Sequence, residues 1–341
     1  MRLGWFFWRR PRRGPGRSIR DLQAKADAFQ EFAEDWHGTG LGALTGALTF
    51  TNDQYEEIAC VHHQGDSTIW TGEYLGAQAF RYMVTQDAGA RDEILRVAEY
   101  LHITLAITDT LGYVARWAGP NEPPWDCGMP DGHGWKILGT GEWDGYYWVD
   151  HTSRDQYSGW WMGLTLAYDA LANDPSAEAV AMRQQIREDF TDVIDMLVLN
   201  SWHITDQNGQ WTGNGAHWVA AIMRLSWISM ANHVTEDEDM RTLLDRQYDL
   251  NLGLLSIDTF SGLNRYMEYF GNNLRHLAYL AMFRVWPDRE RLEHLWEVWE
   301  ATNRPWVKET HNPFLTPFTM PDACVSGIAT RTKWIGSRTI F

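Results

Sequence analysis

The stretch HTSRDQYSGWWMGLTLAYDALANDPSAEAVAMRQQIREDFTDVIDMLVL, residues 151–199, decides the fold. It opens on a polar cluster with His151, Arg154 and Asp155 and runs into an amphipathic segment rich in small and aromatic residues. It then turns at Asn173-Asp-Pro-Ser and closes on a second amphipathic segment. That order predicts a hairpin of two helices. The pattern recurs, with first helices beginning near Trp70, Ser158, Ala216 and Asn272. One hairpin cannot bury its apolar face alone, so the repetition predicts an all-α array or closed α/α toroid. In a ring the polar clusters would meet around one mouth.

The hairpins are expected over 70–86 and 88–110, 153–172 and 176–199, 214–233 and 236–255, and 272–286 and 289–302. A helix from Ser18 to Trp36 precedes them, followed by a Gly-rich stretch and a short strand at Leu48. The first helices should form the inner layer, because Gly72, Gly76 and Ala77, and again Gly159, Gly163 and Ala167, permit close helix approach. Residues 112–147 form a long insertion rich in Gly, Pro and Trp, read as a lid or wall of a cleft. Residues 1–18 read as a basic disordered tail, and 19–341 as a single domain whose segment after Pro305 wraps the surface.

The chain has 341 residues, and its 29 basic against 45 acidic residues give a net charge of −16. Nucleic acid and anionic membrane surfaces would repel such a chain, and a neutral or cationic ligand suits it better. No stretch is long and apolar enough to span a bilayer, and no signal peptide is readable, which leaves the compartment open with the cytoplasm as default. Cys60, Cys127 and Cys324 are too few and too scattered for a disulfide framework or a zinc site. No cofactor is called for.

The cluster residues are spaced in pairs. Two repeats open with His-x-x-x-Asp (His62 and Asp66, His151 and Asp155), and two with Asn-x-x-His (Asn214 and His217, Asn273 and His276). Such spacings place both members on one face of a helix start. Helix capping is the bland alternative: Ser153-x-x-Gln156 is a capping-box pattern, and Asn214 and Asn273 are good N-caps. Capping does not explain four histidines at matching positions. Metal binding is disfavoured because no His-Glu-x-x-His or close His-x-Asp motif is present.

The segments GDSTIWTGEYLGAQAFRY (65–82) and HTSRDQYSGWWMGL (151–164) resemble uncharacterised bacterial proteins of the α/α-toroid, six-hairpin-glycosidase-like class. The resemblance implies a barrel of paired helices with a carbohydrate cleft at one end, as in glycosidases, unsaturated-uronide hydrolases and polysaccharide lyases.

Three functions follow as expectations. The first is a glycoside hydrolase on a neutral or small saccharide, which needs two carboxyl groups across the scissile bond. Asp155 and Asp66 would be the acid–base pair, with Glu142 and His151 as further catalytic candidates. Trp143 and Trp148 would be sugar platforms, and Arg154, His62 and His217 would orient the substrate. The second is a uronate lyase, with Asn214 or Asn273 neutralising the carboxylate, His217 or His276 as base and Tyr157 as acid. The third is a toroid that binds a glycan or a protein without catalysis.

Overall fold

The computed structural model describes residues 19–130, 132–215, 221–261 and 269–304, and the chain there is mostly helical. Helix α1 (Ile19–His37) leads into the strands β1 (Ala47–Phe50) and β2 (Ile58–His62). Four helical hairpins follow: α2 (Ser67–Thr85) with α3 (Ala88–Ala106), α4 (Arg154–Ala170) with α5 (Ala177–Leu199), α6 (Ala221–Thr235) with α7 (Glu238–Ser261), and α8 (Tyr269–Val285) with α9 (Arg289–Thr302). The basic-tail reading and the segment after Pro305 lie outside the described residues.

The first helices of the hairpins pack on one another, α2 on α4, α4 on α6 and α8, and α6 on α8. Burial agrees: every residue of α4 from Gln156 to Tyr168 is buried, whereas the second helices keep an exposed face. Glycine sets the closest of these contacts. A Cβ on Gly72 would lie 2.1 Å from the carbonyl oxygen of Gly159, and one on Gly163 would lie 2.4 Å from that of Gly72. The two backbones therefore touch directly. Ala77 departs from the expected packing set, since it is exposed.

At their C-terminal ends three of the inner helices are tied by charge. Asp169 of α4 accepts from His233 Nε2 of α6 at 2.6 Å and from Arg284 Nε of α8 at 3.0 Å. Helix C-termini carry partial negative charge, so the added carboxylate needs the Arg284 cation and the His233 hydrogen bond beside it.

The insertion is folded rather than structureless. Strands β3 (Trp117–Pro120), β4 (Lys136–Leu138) and β5 (Tyr146–Val149) make an antiparallel sheet in the order β3-β5-β4, with both Trp117 and Lys136 opposite Val149. Aromatic and β-branched residues (Trp117, Ile137, and Tyr146 to Val149) favour strand here, but three- and four-residue strands between glycine turns leave little periodicity to read. A further hairpin pairs β6 (His203–Thr205) with β7 (Trp211–Gly215). Cys60 of β2 and Cys127 form a disulfide across 67 residues of chain, a single bond that the cysteine count did not reveal. Disulfides persist in oxidising surroundings, which counts against the cytoplasmic default.

Candidate functional site

Three of the outer helices, α3, α5 and α9, are capped in the usual way. Asp87 accepts from the Ala90 amide at 2.8 Å, Ser176 from Ala179 at 3.3 Å, and Asp288 from Arg291 at 2.9 Å. The inner helices α2 and α4 are not, for their N-cap residues Asp66 and Ser153 make no side-chain cap bond. The first amides of α2 are satisfied by other elements: Thr68 N donates to the Arg116 carbonyl at 3.1 Å, and Ile69 N to Gln156 Oε1 at 3.1 Å. With those donors already taken, the Asp66 carboxylate is released from capping.

Asp66 turns instead to two side chains. Its Oδ1 accepts from Arg116 Nη1 and from Gln156 Nε2, each at 3.1 Å. Arg116 is the hub of the site. Its Nε donates to the His151 carbonyl at 2.6 Å, its Nη1 also reaches the Gly65 carbonyl, and its guanidinium lies 5.9 Å from the Trp135 ring. Asp155, in the first turn of α4, is half-buried. Burial raises its pKa and the charge of Asp66 raises it further, against the opposing pull of Arg154 and Arg116. Asp66 and Asp155 are therefore neighbours at the N-terminal ends of adjacent helices. The positive ends of both helices favour an anionic group there.

Placement of the other candidates is mixed. His151 is exposed, has a left-handed backbone (φ 58°), and stands 5.0 Å from the Trp135 ring. His62 lies at the end of β2, where burial and then the neighbouring His63 lower its pKa. Neither His-x-x-x-Asp pair shares a helix face, because both histidines precede their helix. Glu142 is exposed in a 3-10 turn, and Arg154 is the first residue of α4.

Trp148 is 3% exposed and packs on Tyr113, so it cannot serve as a sugar platform; it lies on β5, the central strand of the sheet, which is buried on both faces from Tyr147 to Val149. Trp143 is half-buried against Tyr146. Tyr157 is fully buried, with its hydroxyl donating to the Gly112 carbonyl at 2.8 Å and accepting from Val114 N at 3.0 Å. That removes it as the acid of a lyase. His276 is fully buried within α8. Asn273 sits inside α8 and Asn214 in β7, so neither is an N-cap, and His217 lies outside the described residues.

Two residues escaped the sequence reading. Arg116 is the only Lys or Arg between Arg96 and Lys136, an isolated cation in an apolar stretch, which is the signal that could have found it. Glu73 lies seven residues after Asp66 on α2, half-buried, with its pKa pushed up to about 7 by burial. A spacing of seven puts it on the same helix stripe as Asp66.

A separate cleft of about 340 Å³ between α1, the 38–44 loop, α2 and α3 is lined by Glu34, Tyr74, Glu93 and Arg96. There Arg96 Nε holds the Glu93 carboxylate at 3.0 Å, which leaves less for chemistry than the Asp66 region. Among the described residues no three His, Cys, Asp or Glu side chains gather as a metal site, and no helix is long and apolar enough to cross a membrane. Compared with known proteins, the chain matches no family model, no curated protein and no solved structure.

Proposed function

We propose that the chain is a glycoside hydrolase built on a full or partial α/α toroid, with Asp155 and Asp66 as its acid–base pair. One observation carries the reading: Asp66 sits at a helix start yet caps nothing, its carboxylate is held by Arg116 and Gln156, and its charge acts on Asp155. Hydrolysis of a glycosidic bond needs one carboxyl group that keeps its proton and one that does not. Asp155, with its raised pKa, donates the proton to the leaving oxygen. Asp66, braced by a guanidinium and an amide, works as the carboxylate on the other side of the anomeric carbon. His151 and Arg154 stand at the rim to orient hydroxyls.

The test is reducing-end release from a panel of neutral glycans by the purified full chain. Release that depends on Asp155 and Asp66 supports the reading. A product that absorbs in the ultraviolet, with no reducing ends gained by water addition, would indicate elimination and sink it.

A further inference from the structure

Trp135 and Trp211 present their indoles to solvent, at 41% and 63% exposure. Large aromatic rings bury more apolar area than other side chains, so an open ring that is held rigidly from behind is placed to meet a flat apolar ligand face. Each is also stiffened from behind. Trp211 lies flat on His203, with ring centroids 4.0 Å apart and planes 5° from parallel. Trp135 leans on His151 at 5.0 Å, with the Arg116 guanidinium 5.9 Å away.

The two supports are connected. The Trp135 carbonyl accepts from Asp150 N at 2.8 Å, and Asp150 Oδ2 accepts from Gln207 Nε2 in the β6–β7 turn at 3.4 Å. Tyr113 pins the other oxygen of Asp150 at 2.5 Å. A path of contacts thus runs from the β6–β7 turn, next to Trp211, through Asp150 to Trp135, and on through Arg116 to Asp66.

We propose that Trp211 and Trp135 are stacking plates for separate units of one neutral polysaccharide chain laid across the carboxylate pair. The proposal rests on the hydrolase reading and sharpens its substrate class from small saccharides to polymers. The C–H faces of a pyranose are flat and weakly apolar and match a rigid indole. A single sugar covers about one ring, so two plates with Asp150 and Gln207 between them call for several linked units. The net charge of −16 disfavours a polyanion. A protein partner would instead be met by clustered aromatics in a packed, desolvated patch, and these plates are separated by polar groups.

The experiment is affinity electrophoresis and calorimetry of the full chain with mixed-linkage β-glucan, xylan and galactomannan. Their trisaccharides and anionic carboxymethylcellulose are measured beside them. At least one neutral polymer should bind, and bind more tightly than its trisaccharide. Trp211→Ala should weaken that binding by ~10-fold or more while leaving the melting temperature unchanged, and Trp211→Tyr should restore most of it because a ring is kept. Trp135→Ala should act in the same direction. Polymer binding with no reducing-end release from any glycan would uphold the plates and sink the hydrolase reading. Release from trisaccharides with no preference for polymer, and no effect of either alanine variant on binding, would uphold the hydrolase and overturn the plates. Self-association lost in Trp211→Ala, without polymer binding, would also overturn them and make this face a protein contact.

Discussion

His233 Nε2 lies 2.6 Å from Asp169 Oδ1 and joins the C-terminal ends of α6 and α4, while Arg284 of α8 holds the second oxygen of the same carboxylate. Burial alone would favour protonated Asp169, but the His233 bond and the Arg284 charge outweigh it and hold its pKa below the ordinary range. A depressed carboxylate pKa stabilises the fold above the pKa of the unfolded chain, and that stability is lost as pH falls through the folded value. Asp169→Asn should therefore cost about 1–3 kcal/mol near neutral pH, and progressively less in acid. Denaturant melts at several pH values check this. A loss that stays constant into strong acid would contradict the charge argument.

Glu73 has the opposite sign. Its pKa is raised from about 4.5 to about 7 by burial, so between those values the unfolded chain releases a proton that the folded chain keeps. Stability should fall as pH rises across that window and level off above it. Glu73→Gln should stabilise the protein by about 1–3 kcal/mol at pH 8 and have little effect at pH 4, at 1.36 kcal/mol per unit discounted for partial exposure. Equal effects at both ends would show that the carboxyl is not desolvated.

Asp155→Asn separates chemistry from structure. Asp155 is a half-buried carboxyl with a raised pKa in the first turn of α4. The amide keeps the size and a hydrogen-bond acceptor, so melting should change little. Losing a general acid should lower turnover by about 10²–10⁴-fold. If melting falls and turnover per folded molecule survives, Asp155 is structural and the acid must be sought at Glu73 or Glu142.

Gly72→Ala tests the contact that brings the two aspartates together. A Cβ there would sit 2.1 Å from the Gly159 carbonyl oxygen, which is backbone and cannot rotate away. The helices must part, at an expected cost of about 1–3 kcal/mol or more. Because Asp66 and Asp155 ride on these helices, turnover should drop as well. Gly65→Ala, with nothing within 4 Å, is the control and should be nearly silent in stability. Equal stability of the two variants would refute close α2–α4 packing.

The hairpins were legible because a helix announces itself locally, through its 3.6-residue period and the turn that ends it. The expected pair 289–302 and the observed α9 (Arg289–Thr302) coincide, and Asp288 caps α9 through the Arg291 amide as its residue type suggests. The short strands of the insertion were not legible, since three residues carry too little pattern.

The site divides along the same line. Asp66, Asp155 and His151 could be picked out from their recurrence at hairpin starts, which is a one-dimensional property. That Asp66 does not cap could not be read, because its helix amides are satisfied by Arg116 and Gln156, 48 or more residues away in sequence. For the same reason Trp148 and Trp135, both in one aromatic loop, could not be told apart: the first is buried in the central strand of the sheet, and the second precedes β4 and stays exposed. By itself the sequence determined the helices, their order and which residues carry charge. Only the tertiary structure decided which of those charges are spent on the fold and which are left to face a ligand, because hydrogen-bond partners and desolvation are set by elements far apart in the chain.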